Sequence, residues 1–453
     1  MTGTSLFDWT IYRHLFSNPR MEEVFGERGT LESWIAVEKA VARAQTKVGI
    51  IPQPAADAIN DHVNADSIDL ERLAADTREV GRPIAGMVRQ LTEQVGEEFA
   101  QWVHFGITTY DVMDTGKALQ LQAGLNQIET AIVRYRDQLA VMAREHRDTV
   151  MIGRTNNLHA QPTTFGAKLA NWLEELMRHR QRLKELRKRV LVVQFGGAVG
   201  TLAAIDPHGL EFREAVAAEL GLGVPLSNWH NARDSMTEVS LALGNLCASL
   251  ARSAQNINAL GSTEIGEVSE RGEPGRGRST TMAHKRNPRA AEFAEAVARL
   301  GRQRAMGLPE VMGQDHDRCG GTYIAEWMLV PEVFLLTSGA LMWATDLFGR
   351  LNVHADRMRA NIDMTAGLVM TERFTMALAK KTDKRQARQL LDEACAKVAA
   401  NGGTLADALK EDPAVREHLS EAGITELTDP RSYTGAAGDI VDDVLAALAA
   451  EKE

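Results

Sequence analysis

The stretch Ser235–Ile265, SMTEVSLALGNLCASLARSAQNINALGSTEI, decides the fold. It is rich in Ala, Leu, Ser and Gly, carries few charges through its middle, and no proline interrupts it. A helix that is apolar or small on most of its faces is a buried helix. Two burials fit: the centre of a monomer's core, or an interface between subunits, which its length favours. Outward from it, Ala118–Glu145 and Ala167–Val193 show the same helical periodicity. Each of the three runs to roughly 25–30 residues, beyond the usual 8–20 of globular helices, as in a bundle whose members bury long stripes against one another. A shorter amphipathic helix, Leu31–Val48, stops at Gly49 with Pro52 just beyond. The expected fold is all-α in three helical domains: 1–106, a central long-helix bundle 107–355, and a small C-terminal domain 356–453. In that last domain Gly402-Gly403, Pro413 and Pro430 separate short helical stretches.

Bulk properties exclude several classes. Among 453 residues, 51 Lys and Arg stand against 61 Asp and Glu, a formal charge of −10, and the basic residues are scattered. Such a surface does not attract nucleic acid or an anionic membrane, so an anionic ligand must be met by local donors. Three cysteines, Cys247, Cys319 and Cys395, lie far apart with no C-x-x-C pair, which signals neither a disulfide framework nor a zinc site and fits a reducing cytoplasm. The N-terminal MTGTSLFDWTIYRHLFSNPR lacks a signal-peptide pattern, and no run of about 18 apolar residues is apparent, so no membrane association is expected.

Between the helices lie segments rich in Gly, Thr, Asn, His and Pro: His104–Thr115, Gly153–Gly166 and Gly272–Pro288, all read as loops. The third is the most informative. Gly272-Glu273-Pro274-Gly275-Arg276-Gly277 cannot hold a helix, and Arg278-Ser279-Thr280-Thr281-Met282-Ala283-His284-Lys285-Arg286-Asn287-Pro288 leads into renewed helical spacing at Arg289. Hydroxyls and free backbone N–H groups before a helix, with a lysine and an amide added, suit a carboxylate.

This segment resembles the signature loop of the fumarase/aspartase superfamily, G-S-S-x-M-P-x-K-x-N-P, keeping Ser279, Met282, Lys285, Asn287 and Pro288 in register. It departs at Arg278, Thr280 and Ala283, where the pattern has Gly, Ser and Pro. The resemblance implies that Ser279 is the general base, that Lys285 and Asn287 hold a substrate carboxylate, and that Thr280 lines the same site. Trp102–Thr115 resembles a second family region, H-x-G-x-T-S-x-D-x-x-D-T, which makes Thr108 and Thr109 carboxylate binders with His104 nearby. Thr108, Thr109 and Asp111 also read as an N-cap for the following helix, and one role does not exclude the other. Gly153–Gly166 resembles a third region, in which most members carry a catalytic histidine after Arg-Thr; here Asn156 stands there and cannot shuttle a proton. His159, in H-A-x-P-T-T-F-G, matches another family position and takes the proton-donor role, with Asn156 left to bind substrate.

The resemblance covers essentially the whole chain, including Asn18-Pro19-Arg20-Met21, Glu38 and Tyr433-Thr434-Gly435. Within the superfamily, Trp229–Asp234, Asp315–Gly321 and Ala325-Glu326-Trp327 look like 3-carboxy-cis,cis-muconate cycloisomerases. Adenylosuccinate lyases are similar but would show a His-Asp pair near Arg78-Glu79-Val80 and an arginine at Trp327, suited to phosphate. The resemblance implies a homotetramer with shared active sites, no metal and no organic cofactor, and a small polycarboxylate substrate. The expected activity is a lyase that takes a proton beside a carboxylate of a succinyl-type substrate and expels an amine or other group. The alternatives are carboxymuconate cycloisomerisation, epimerisation of an aminopolycarboxylate by the same proton abstraction, or a catalytically silent structural protein.

Overall fold

A computed structural model describes residues 5–272, 275–318 and 320–451, which are mostly helical with two short antiparallel strand pairs. Glu273 and Pro274 of the glycine-rich approach, and Cys319, lie outside the described residues. The deciding stretch forms the helix Asp234–Leu260, and Ala167–Val193 forms Phe165–Val190. Leu31–Val48 forms most of the helix Glu27–Lys47, with Val48 just past its end, and Ala118–Glu145 lies within a 37-residue helix, Thr109–Glu145.

Three expectations are corrected. Most of His104–Thr115 is helix rather than loop, because the Asp111 carboxylate accepts the Thr108 N–H (3.0 Å) and starts the helix at Thr109. Most of Gly153–Gly166 is a β-hairpin, Val150–Thr155 with Leu158–Thr164. Its two-residue turn is Asn156-Asn157, both left-handed at φ 50° and 64°, the backbone a type I′ turn needs and asparagine tolerates. Third, a further long helix, Gly321–Gly349, went unread because Pro331 sits inside it and its apolar residues leave no polar stripe to reveal a period. By length and composition alone it is long and apolar enough to cross a membrane, with 56% of its most apolar window buried within the protein.

The chain divides into two compact units. The first comprises Met1–Ile132, His179–Ala251 and Phe293–Trp343. Its core gathers Leu31, Ile35, Met87, Leu91, Phe195 and Phe212. The Asn18 side chain caps the helix Pro19–Phe25 by accepting the Met21 N–H, and proline occupies the first helical position, where no N–H is needed. Inside this unit Arg233 is fully buried between two fully buried carboxylates. It donates to Asp114 (3.0 and 3.0 Å) and to Glu326 (2.9 and 2.6 Å), while the Tyr323 hydroxyl donates to Asp114 (3.1 Å). Burial alone would lower the Arg233 pKa; the two carboxylates outweigh it and hold the guanidinium charged.

The second unit comprises Val133–Arg178, Arg252–Glu292 and Ala344–Glu453. It holds the hairpin and a second strand pair, Val268–Glu270 with Leu351–Val353. Ile152 of the hairpin packs with Phe374, Leu391, Leu409 and Ile424 of the C-terminal helices. The helix Lys384–Asn401 ends at Gly402, whose φ of 75° is the left-handed backbone that glycine adopts freely.

Candidate active site

In the first unit the site residues gather around the start of the Thr109–Glu145 helix. Asp111 is the hub: besides the Thr108 N–H, its buried carboxylate accepts Gly196 N–H (2.9 Å) and Gly197 N–H (3.1 Å), with His230 Nε2 at 3.3 Å. The chain reaches Thr108 through Gly106 at φ 70°, where a Cβ would lie 2.4 Å from Ile205 Cγ2, so only glycine fits. Thr108 and Thr109 are half-buried, and Thr108 Oγ1 accepts a hydrogen bond from Arg318 Nη1 (3.3 Å). His104 Nδ1 lies 2.6 Å from Oε1 of the buried Glu38.

Burial would lower the His104 pKa, but the charge and hydrogen bond of Glu38, with help from Asp111, outweigh it and raise the value. The stability this pair contributes is therefore fully present below the ordinary value of 6.5 and is lost as pH rises through the raised value. Glu38→Gln removes the opposing charge and leaves burial dominant. The His104 pKa, followed by NMR of its ring protons, is expected to drop below the ordinary histidine value, and an unchanged value would contradict the pairing.

In the second unit the hairpin carries Asn156 at its exposed tip and His159 opposite Arg154 in register. Arg154 is clamped by the fully buried Glu267 (3.0 and 2.6 Å), which also accepts from Asn361 Nδ2 (2.8 Å). Burial, then the Arg154 charge, lowers the His159 pKa against the pull of Glu267; Lys168 is lowered by burial, Arg154 and Arg252, again against the pull of Glu267. This environment favours the neutral imidazole form of His159.

The loop before Arg289 closes on itself. Arg278 and Arg286 form an isolated antiparallel bridge, and Gly277 O accepts both the backbone N–H (2.8 Å) and Nδ2 (3.1 Å) of Asn287. Gly277, at φ 64°, sits against the Asn287 carbonyl where a Cβ would be 2.6 Å away. Ser279, half-buried, accepts at Oγ the N–H groups of Met282 (3.0 Å) and Thr281 (3.3 Å). Thr280 and Lys285 are exposed, and neither Lys285, Arg278 nor Arg286 has a carboxylate partner among the described residues. Among those residues no hydrogen bond joins Asn156 or His159 to Ser279, Thr280, Lys285 or Asn287.

Several contributors escaped the sequence reading. Glu267 and Asn361 belong to no motif, and their partnership with Arg154 spans distant segments. Arg318 was read only as part of a branch pattern, and nothing in the sequence tied it to Thr108.

A serine oxygen fed by two amide donors, beside uncompensated cations, is equipment for handling protons next to anions. Comparisons with known proteins identify the family. Residues 14–303 match a family described as Lyase, and residues 367–444 match the adenylosuccinate lyase C-terminus. A 3-carboxy-cis,cis-muconate cycloisomerase of Pseudomonas aeruginosa is 39% identical, covering 94% of this chain and 94% of its own. An N-acetyl-S-(2-succino)cysteine lyase of Dickeya dadantii is 34% identical over 98% of this chain and 97% of its own. The crystal structure of a fumarate lyase from Mesorhizobium sp. BNC1 superposes with a TM-score of 0.89 at 40% identity, covering 95% of this chain and 98% of that one. The chain belongs to the fumarate lyase (fumarase/aspartase) superfamily. It is an enzyme of the lyase and cycloisomerase type found there.

Proposed function

We propose that the enzyme is a lyase acting on a succinyl-type polycarboxylate, removing a proton beside a carboxylate and expelling an amine or similar group to leave fumarate or a fumarate-like acid. The observation that carries this reading is the environment of Ser279. A serine hydroxyl is far too weak a base by itself, but two backbone N–H groups on Oγ favour its anionic form, and Lys285, without a carboxylate partner among the described residues, adds positive charge. Ser279 Oγ takes the carbon-bound proton; the electron pair moves into the carboxylate as an aci-form dianion and then expels the leaving group. Lys285, Asn287, Thr280 and the hydroxyls of Thr108 and Thr109 stabilise that dianion, and His159 protonates the departing atom. In this reading the enzyme is a cytoplasmic homotetramer, and segments from different copies of the chain complete each catalytic centre.

A second reading, 3-carboxy-cis,cis-muconate cycloisomerisation, is favoured by the likeness to the Pseudomonas aeruginosa cycloisomerase and by the Trp229–Asp234 and Asp315–Gly321 segments. A panel of N-substituted aspartates and 3-carboxy-cis,cis-muconate separates the two. Fumarate release from the aspartates marks the lyase, a lactone from the muconate marks the cycloisomerase, and neither product would sink both. His159 supplies a further test. His159→Asn is expected to slow substrates with basic leaving groups by about 10²-fold or more, and those with good leaving groups far less. Because His159 is lowered in the free enzyme and must be protonated to act, kcat/KM is expected to fall as pH rises through a value below 6.5. A pH profile identical in the His159→Asn enzyme would remove it from the mechanism.

A further inference from the structure

Two guanidinium groups share the ring of Tyr110. Arg318 lies 4.6 Å from its centroid while donating to Thr108, and Arg82 lies 6.0 Å from the same centroid with Nη2 3.5 Å from the Tyr110 hydroxyl. Arg82 also stacks on the Trp327 indole, 5.2 Å from its centroid. Neither arginine has a carboxylate partner among the described residues; the remaining bond of Arg82 is to its neighbour's carbonyl, Gly81 O. Elsewhere in this unit the buried arginine, Arg233, is met by two carboxylates. Two like charges on one aromatic ring repel, and cation–π attraction offsets only part of that. An anionic group arriving at each offsets the repulsion and satisfies its planar fork.

We propose that Arg82 is a specificity-determining residue that binds an anionic group of the substrate beyond the one held at Thr108. This rests on the reading of Thr108 and Lys285 as carboxylate binders. Arg318, bonded to Thr108, sits at the carboxylate held there, and Arg82, on the same tyrosine ring, meets the next. The indole of Trp327 backs the guanidinium and holds it in plane, a fixed fork suited to a carboxylate. The substrate class this selects is a succinyl unit carrying a third carboxylate.

Binding calorimetry with two unreactive probes, succinate and propane-1,2,3-tricarboxylate, tests it. The wild-type enzyme is expected to bind the tricarboxylate roughly 10- to 100-fold more tightly than succinate, the worth of charge-assisted hydrogen bonds to one further anionic group. Arg82→Met keeps the stem on Trp327 and should abolish that advantage while changing succinate affinity by less than about twofold. Arg82→Lys, which keeps the charge without the fork, should restore part of it. Equal binding of the two probes by the wild type, or an advantage that survives Arg82→Met or is undiminished in Arg82→Lys, would overturn the assignment. Lys285→Ala separates the two levels. If it weakens succinate but Arg82 variants leave the tricarboxylate advantage intact, only the role of Arg82 fails. If succinate does not bind, or binds independently of Lys285, the carboxylate-site reading fails and this inference falls with it.

Discussion

Ser279→Ala is expected to lower kcat by about 10³-fold or more while leaving KM within a few-fold of the wild type, because the base acts only as the proton moves. The oxygen lost in that variant is the one that accepts the Thr281 and Met282 amides, so the turn itself loses two side-chain bonds. Its backbone ties remain: Ser279 N–H to Lys285 O (3.3 Å), and the Asn287 N–H to Gly277 O (2.8 Å). The loop should therefore keep its course, and substrate affinity should survive. Lys285→Ala serves as the contrast, since a residue that holds the carboxylate in both ground and transition states should damage KM and kcat together. If Ser279→Ala keeps most of its turnover on an identified substrate, the serine-base mechanism is wrong and His159 becomes the leading base.

The largest expected effect on stability lies at Arg233. Arg233→Met leaves Asp114 and Glu326, both fully buried, facing each other without the guanidinium that now bonds each of them. Removing one partner of such a network typically costs about 3–5 kcal/mol, since the remaining charge is stranded in a low-dielectric interior. Lys117 does not rescue it: it is buried close by, and burial lowers its pKa against the pull of Glu326 and Asp114. For a unit of this size an apparent Tm lower by on the order of 10 °C is expected in thermal scans followed by circular dichroism. Replacing Arg233, Asp114 and Glu326 together by apolar residues of similar volume should recover much of the loss, because the desolvation cost then disappears as well. A single variant as stable as the wild type would show that the network contributes nothing.

The long helices were legible because their cause is local. A repeating apolar stripe in Asp234–Leu260 or Phe165–Val190 is written in the order of residues, and the structure moves their ends by only a few positions. Gly321–Gly349 was missed for the converse reason: apolar on nearly every face, it shows no period, and Pro331 reads as a stop. The hairpin was hidden by composition. Asn156-Asn157 looked like generic loop residues, yet two adjacent left-handed asparagines are what a two-residue turn requires. Of the candidate site, the proposed residues that lie within contiguous motifs, namely Ser279, Lys285, Asn287, Thr108, Thr109 and His159, can be named from the order of residues alone. Their supports cannot. Glu38 on His104, Glu267 on Arg154 and Arg318 on Thr108 are joined only by folding, across separations no motif spans.

The central claim is that the site stabilises the dianion formed when a proton leaves the carbon beside a carboxylate. The most direct measurement is the affinity of 3-nitropropionate, whose ionised nitronate imitates that dianion in charge and shape, compared with that of succinate. The account predicts that the nitronate binds about 10²-fold or more tightly than succinate, as transition-state analogues do, and that Lys285→Ala removes the difference. Equal affinities for the two, or a preference that survives Lys285→Ala, would contradict it.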